Sequence, residues 1–151
     1  MEKYKTPSAV IVLLTKKVDG KIQVLLQKRQ NTGFGDGLWD LSCSGHVEFK
    51  ESFKNTAVRE CFEELGIKVK EEDLQFFAFI HKHDEPYNLT YNNAYFYTEK
   101  FLGEPKICEK EKCSQIKWFN IDDLPADLLD DRKEALSCLY SSKFYIEYGW
   151  N

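Results

Sequence analysis

A chain of 151 residues with 42% hydrophobic side chains is one domain's worth of sequence, able to bury about two thirds of the surface it exposes unfolded. No apolar run reaches the roughly 20 residues of a membrane span, and the short apolar stretch near the start runs into Lys16 and Lys17, so neither a transmembrane segment nor a signal peptide is expected. A net charge of −4 disfavours duplex nucleic acid as a partner, and five cysteines without paired spacing point to free thiols in a cytoplasmic protein.

In chain order, Ser8 to Thr15 is nearly continuously apolar and predicts a strand buried on both faces. Asp19-Gly20 is a turn signal, and Ile22 to Gln27 returns as the second arm of a hairpin. Lys28 and Arg29 close that arm, either as a solvated strand end or as cations at the mouth of a site. Gly33, Gly35 and Gly37 then mark a long turn; no Gly-Lys-Ser/Thr follows to make it a phosphate-binding loop. Trp39 to Cys43 reads as a short strand leading to Gly45.

The next segment carries the chemistry. Ser52 is a natural N-cap and Gly66 a left-handed stop, so a helix is predicted from about Phe53 to Leu65. Ala57, Cys61 and Leu65 repeat every four residues, with Val58 and Phe62 beside them, as a stripe laid on a core. Glu60, Glu63 and Glu64 stand at i, i+3 and i+4 and project together from the adjoining face. Like charges one turn apart destabilise a helix by about 0.2–0.5 kcal/mol per pair unless a cation lies between them, and a hard divalent ion with oxygen ligands fits that role. A solvated acidic face is the plain alternative.

Downstream, Leu74 to His83 and Asn93 to Phe101 predict aromatic-rich strands joined by a loop. His81 and His83 share one strand face, suited to a metal, a phosphate or simple packing; Tyr87, Tyr91 and Tyr95 are suited to stacking on a base or to filling a core. Cys108 and Cys113 lack the further ligands of a zinc site. Asp131 to Ser142 predicts a second amphipathic helix with Ala135, Leu136 and Leu139 packed, and the aromatic tail from Lys143 is expected to dock.

The set Gly45, Glu51, Arg59, Glu60, Cys61, Glu63, Glu64, Gly66 and Ile67 resembles the signature of the Nudix hydrolases, G-x5-E-x7-R-E-U-x-E-E-x-G-U, where U is a bulky apolar residue. All fixed positions match, with Cys61 standing where the family carries Ile, Leu or Val. The resemblance implies an α/β (α+β) Nudix fold, a mixed β-sheet sandwiched between α-helices, over a single domain 1–151. It implies metal-dependent hydrolysis of a pyrophosphate bond in a nucleoside diphosphate linked to a group X, with Mg²⁺ or Mn²⁺ as cofactor. An ordinary or oxidised nucleoside triphosphate is favoured because the domain is small; nucleotide sugars and dinucleoside polyphosphates are the alternatives.

By the same resemblance, Glu60 and Glu64 are the first metal ligands, with the Gly45 carbonyl, and Glu63 is a further ligand or the base that orients water. Glu109, or else Glu111, is the acidic loop residue that approaches the metal, ahead of a strand containing Trp118-Phe119. Arg29, with Lys28, meets substrate phosphate, while Arg59 pairs with Glu51 and orients the ligands. Ser42-Cys43-Ser44 replaces a Pro- or Gly-rich turn. Lys50 stands where many members have glycine, and since a left-handed Lys50 would cost roughly 1–2 kcal/mol, a different turn is expected. Two rival readings are an isopentenyl diphosphate isomerase, for which Cys43 is the one cysteine suitably near, and a non-catalytic nucleotide-binding sensor. A homodimer is left open.

Overall fold

The computed structural model describes residues 1–151. Eight strands, β1 (Ser8–Val18), β2 (Lys21–Arg29), β3 (Trp39–Asp40), β4 (Cys43–His46), β5 (Gln75–Asp84), β6 (Leu89–Thr98), β7 (Cys113–Asn120) and β8 (Tyr145–Tyr148), form one sheet. Its order is β3-β2-β1-β6-β5-β8, with β4 added to β1 and β7 to β2. The β1–β6 and β5–β8 pairs are parallel and the others antiparallel. Helices α1 (Phe53–Leu65) and α2 (Asp130–Ser137) cover opposite faces.

Strand β1 explains this layering. Its side chains alternate between faces. Val10, Val12 and Leu14 pack with Ala57, Cys61 and Leu65 of α1, while Ile11 and Leu13 join Ala135 and Leu136 of α2. A continuous apolar run is therefore what a central strand with a helix on either side requires.

Ser42 positions the site within this frame. The hairpin arms pair only between Thr15–Val18 and Lys21–Val24, then diverge. The Ser42 hydroxyl sits in the fork, accepting from Leu14 N at 2.8 Å and donating to Leu25 O at 2.7 Å. The single strand expected over Trp39 to Cys43 is consequently two, because the chain crosses at Ser42 from β3, on the β2 side, to β4, on the β1 side.

Other expectations shift. Strand β6 begins at Leu89, not Asn93, because the connection shrinks to a 3-10 turn at Glu85–Tyr87 closed by left-handed Asn88. Helix α2 ends at Ser137 and tightens into a 3-10 turn over Cys138–Tyr140. Phe62 is 58% exposed instead of packed, since at about 100° per residue it falls well to one side of the Ala57–Cys61–Leu65 stripe.

Lys50 does adopt the left-handed conformation, with φ of +68°. The turn is imposed from outside it: Glu51 N donates to Glu48 O at 3.0 Å and Glu48 N donates to the Glu51 carboxylate at 2.9 Å. These bonds offset the roughly 1–2 kcal/mol of strain. The tail docks through β8, and Trp150 Nε1 donates to His81 O at 2.8 Å.

Candidate active site

Helix α1 is fixed at both ends. A capping box joins Ser52 and Asn55, and Gly66, at φ +69°, donates its N–H to Phe62 O at 3.0 Å. The helix lies across β4 so that Glu60 covers Gly45, where an added Cβ would run into the Glu60 carboxylate. Only glycine allows that approach.

Glu64 points inward behind Glu60. Its carboxylate accepts from Ser44 N at 3.2 Å and, at the limit of hydrogen bonding, from Gln27 Nε2 at 3.5 Å. Burial first, and then the adjacent Glu60 carboxylate, push the Glu64 carboxyl well above its ordinary range. A buried acid beside a second acid lacks positive charge, and carboxylate oxygens are the donors a hard divalent cation takes.

Arg59 organises the wall. Its Nε and Nη2 grip the two oxygens of Glu51, its Nη1 lies 2.6 Å from Glu60 Oε1 and 3.2 Å from Glu63 Oε2, and Nη2 also donates to His46 O at 3.2 Å. Glu51 is held down to about 2 chiefly by that grip, with the Glu48 N–H helping. The Arg59 guanidinium thus lies between Glu60 and Glu63, while Glu64 meets Glu60 directly.

A cavity of about 460 Å³ opens in front of this wall, lined by Glu60, Glu63, Glu64, Glu109, Arg29 and Lys112 among others. Glu109 reaches it because its loop is tied down: Cys108 N donates to Glu64 O, and Lys112 N and Cys113 N to Glu109 O. Glu111 does not line it, and its carbonyl instead accepts from Asn31 Nδ2 at 3.0 Å. Arg29 does, although Nη1 is bonded to Asp40 at 2.8 Å and Nε to Phe34 O at 2.7 Å. Lys28, one residue earlier on the strand, necessarily points to the other face, where its ammonium lies 5.6 Å from the Trp39 ring centre; it lines neither cavity described here.

A second cavity of about 310 Å³ adjoins the first and shares Arg29, Thr32, Ser44, Gly45 and His46 with it. Tyr91 stacks on His46 at 5.6 Å, and Phe34, Tyr87, Asn93 and the charged Asp84, Lys82 and Arg132 are also among its lining. Beneath it runs a chain of alternating charge, Arg29–Asp40–Arg132–Asp131–Lys82, with links of 2.8, 2.7, 3.0 and 3.2 Å. Burial alone would raise the Asp40 carboxyl, but Arg132 and Arg29 outweigh it and hold it below the usual range. Tyr95 belongs to this buried layer, its hydroxyl accepting from Arg132 Nη1 at 3.0 Å.

Three other sequence candidates fall elsewhere. Cys43 is fully buried with its sulfur 3.2 Å from that of Cys61, and contact with Cys61 together with burial raises its thiol, so it offers no nucleophile to either cavity. His81 and His83 flank the Trp150 ring and line neither cavity. The sequence reading missed Lys112, Asn93 and the Asp40–Arg132 pair. The available signal was for Asn93 and Lys82, polar residues interrupting aromatic and aliphatic strand faces.

The NUDIX domain family model matches residues 5–139. The chain is similar to a MutT NUDIX hydrolase from Burkholderia pseudomallei, with a TM-score of 0.79, 25% identity, and coverage of 90% of this chain and 99% of that one. It shares its fold with the NUDIX domain of Shewanella oneidensis NrtR complexed with ADP ribose, at a TM-score of 0.72, 19% identity, and coverage of 91% and 88%. It is 29% identical over 118 residues to the NAD-capped RNA hydrolase NudC of Mannheimia succiniciproducens, a match spanning 78% of this chain but 40% of that protein. With the family model matched along most of its length and the Gly45–Ile67 segment folded into one acidic wall, the chain belongs to the Nudix family.

Proposed function

We propose that the chain is a metal-dependent pyrophosphohydrolase acting on a nucleoside diphosphate linked to X, and within that class on a nucleoside triphosphate, ordinary or oxidised, giving the monophosphate and pyrophosphate. The observation that carries this reading is the buried Glu64 behind Glu60, with the Glu60 carboxylate set over Gly45 in the space a Cβ would take. ADP ribose and NAD-capped RNA, named for two of the similar proteins, are nucleoside diphosphates carrying a further group, which supports the substrate class.

Glu60, Glu64 and the Gly45 carbonyl are the proposed ligands of Mg²⁺, or of Mn²⁺, with Glu63 and Glu109 available to complete the set or to orient water. When bound, such an ion neutralises phosphate oxygens and activates a water for attack at phosphorus. Arg59 and Glu51 position the carboxylates. Arg29 keeps donors on its second terminal nitrogen, and Lys112 shares the cavity; both meet phosphate charge. Five free thiols support a cytoplasmic location, and no helix is long and apolar enough to cross a membrane.

The test is a phosphate-release screen with Mg²⁺ against nucleoside triphosphates, nucleotide sugars and dinucleoside polyphosphates, beside Glu64→Gln. Turnover of one class that disappears in the variant supports the hydrolase and names X. Binding without turnover of any class moves the reading to a nucleotide sensor.

A further inference from the structure

Strand β8 ends the sheet on the side away from β3, and no strand pairs with its outer edge. Phe79 N donates to Phe144 O at 2.7 Å, so Phe144 and, by alternation, Ile146 turn their peptide groups toward β5. Tyr145 and Glu147 turn theirs to the open edge. An edge with free N–H and C=O groups is a template for another strand, which folded chains blunt with proline, a bulge or like charge. The segment Lys143 to Tyr148, KFYIEY, has no proline and carries one cation and one anion.

We propose that this edge is a homodimer interface, in which β8 pairs antiparallel with β8 of a second copy about a two-fold axis at Tyr145 and continues the sheet from one molecule into the next. The charges set the register. Lys143 and Glu147 stand two residues before and two after Tyr145, both are exposed, and neither forms an ion pair within its own chain. Antiparallel pairing centred on Tyr145 brings Lys143 of each copy level with Glu147 of the other, so the opposite charges meet on both sides of the axis. Glu147 also accepts from its own Tyr145 hydroxyl at 2.7 Å, which holds the carboxylate beside that axis. The backbone fits the same register, since Tyr145 exchanges N–H and C=O with its copy and Glu147 N–H meets the Lys143 carbonyl. Opposite charges set symmetrically about one residue are complemented by the chain itself, which is why a second copy is the occupant.

The side chains beside the edge are apolar where a solvated edge would be polar. Phe76, Phe144 and Tyr145 are 48%, 60% and 47% exposed; ring centres lie 6.3 Å apart between Phe76 and Phe144, and again between Phe79 and Tyr145. Helix α1 packs on β1 and β4, which leaves this end of its side of the sheet uncovered. At about 200 Å² per aromatic side chain, the three half-exposed rings of two copies offer roughly 600 Å², about half of what a stable interface of about 1,200 Å² buries. The paired strands add to this. The sum falls at the lower end of specific interfaces, so the dimer is reversible and concentration-dependent.

The experiment is sedimentation equilibrium of the 151-residue chain, from micromolar to near-millimolar protein, for the wild type, Lys143→Glu, Glu147→Lys and the double reversal, with circular dichroism of each to establish folding. Wild type shows a reversible monomer–dimer equilibrium. Each single reversal sets like charges level with each other on both sides of the axis and weakens association by about 10-fold or more. The double reversal restores opposite charges in the same register and returns association to that of the wild type. Neither residue lines a cavity described above, so turnover is unchanged in all of them.

A wild type that sediments as a monomer throughout overturns the proposal and leaves the edge to an extended segment of another protein. A dimer indifferent to the single reversals overturns it by placing the interface elsewhere. Weakening by both single reversals without recovery in the double variant overturns the two-fold at Tyr145. Association is read without substrate or metal, so this inference stands or falls apart from the hydrolase reading.

Discussion

Arg59 holds the Glu51 carboxylate at both oxygens, Nε to Oε2 at 2.7 Å and Nη2 to Oε1 at 2.9 Å. Because Glu51 lies in the loop after β4 and Arg59 on the helix, this fork fixes where the strand carrying Gly45 meets the face carrying Glu60. Arg59→Lys keeps the charge and loses the two-point geometry. The expected result is a loss of about 10- to 100-fold in metal affinity or activity, the range for residues that orient ligands. Titrating turnover against Mg²⁺ checks it: a raised metal requirement is the expected signature, and an unchanged one would remove Arg59 from this role.

Glu64 is a buried acid whose pKa is raised by burial and by Glu60. A raised carboxyl binds its proton more tightly folded than unfolded. Without divalent metal, stability therefore falls as pH rises from about 4.3, the unfolded value, toward the raised native value. Mg²⁺ should raise Tm at neutral pH by binding the folded state, and Glu64→Gln should raise Tm without metal, blunt the Mg²⁺ effect and abolish turnover. Thermal scans with and without EDTA decide this, and a Mg²⁺ shift that persists undiminished in Glu64→Gln would remove it from the ligand set.

Asp40 titrates in the opposite sense. Its carboxyl is lowered, so the stability it contributes is present above about 3.9 and is lost as pH falls through the lower native value. Asp40→Asn takes one of two carboxylates from the buried Arg132, leaving it Asp131, and takes the one that Arg29 has, and should destabilise by about 3 kcal/mol. Urea unfolding at neutral pH measures it.

Gly45→Ala should leave the fold standing, because the new methyl meets the flexible end of Glu60 and not backbone. Displacing that carboxylate should lower activity at least about 100-fold while Tm changes by only about 2–4 °C, the equivalent of 1 kcal/mol in a domain of this size. Loss of both together would instead show that Gly45 is needed for folding.

Much of the site was legible in sequence because α1 is local: its caps, its stripe and its three glutamates lie within one helix and its flanks. Strand β1 was legible for a similar reason, an apolar run with both faces to fill. The rest depends on distant partners. Nothing around Asp40 announces an ion pair with a residue 92 positions away. The left-handed Lys50 is imposed by Glu51, which is itself held by Arg59. Strand alternation separates Lys28 from Arg29, but which face carries the site follows only from where β7 and α1 come to rest.

The Ser42 hydroxyl satisfies an amide of β1 and a carbonyl of β2 at once, so the two arms part without leaving either group bare. Each arm then carries its own freight. β1 bears β4 and the helix with its carboxylates; β2 bears Arg29 and, through β7, the loop of Lys112. Anionic and cationic walls are thus cantilevered from one hinge. The two walls are tied to each other through one hydroxyl, where β1 and β2 part.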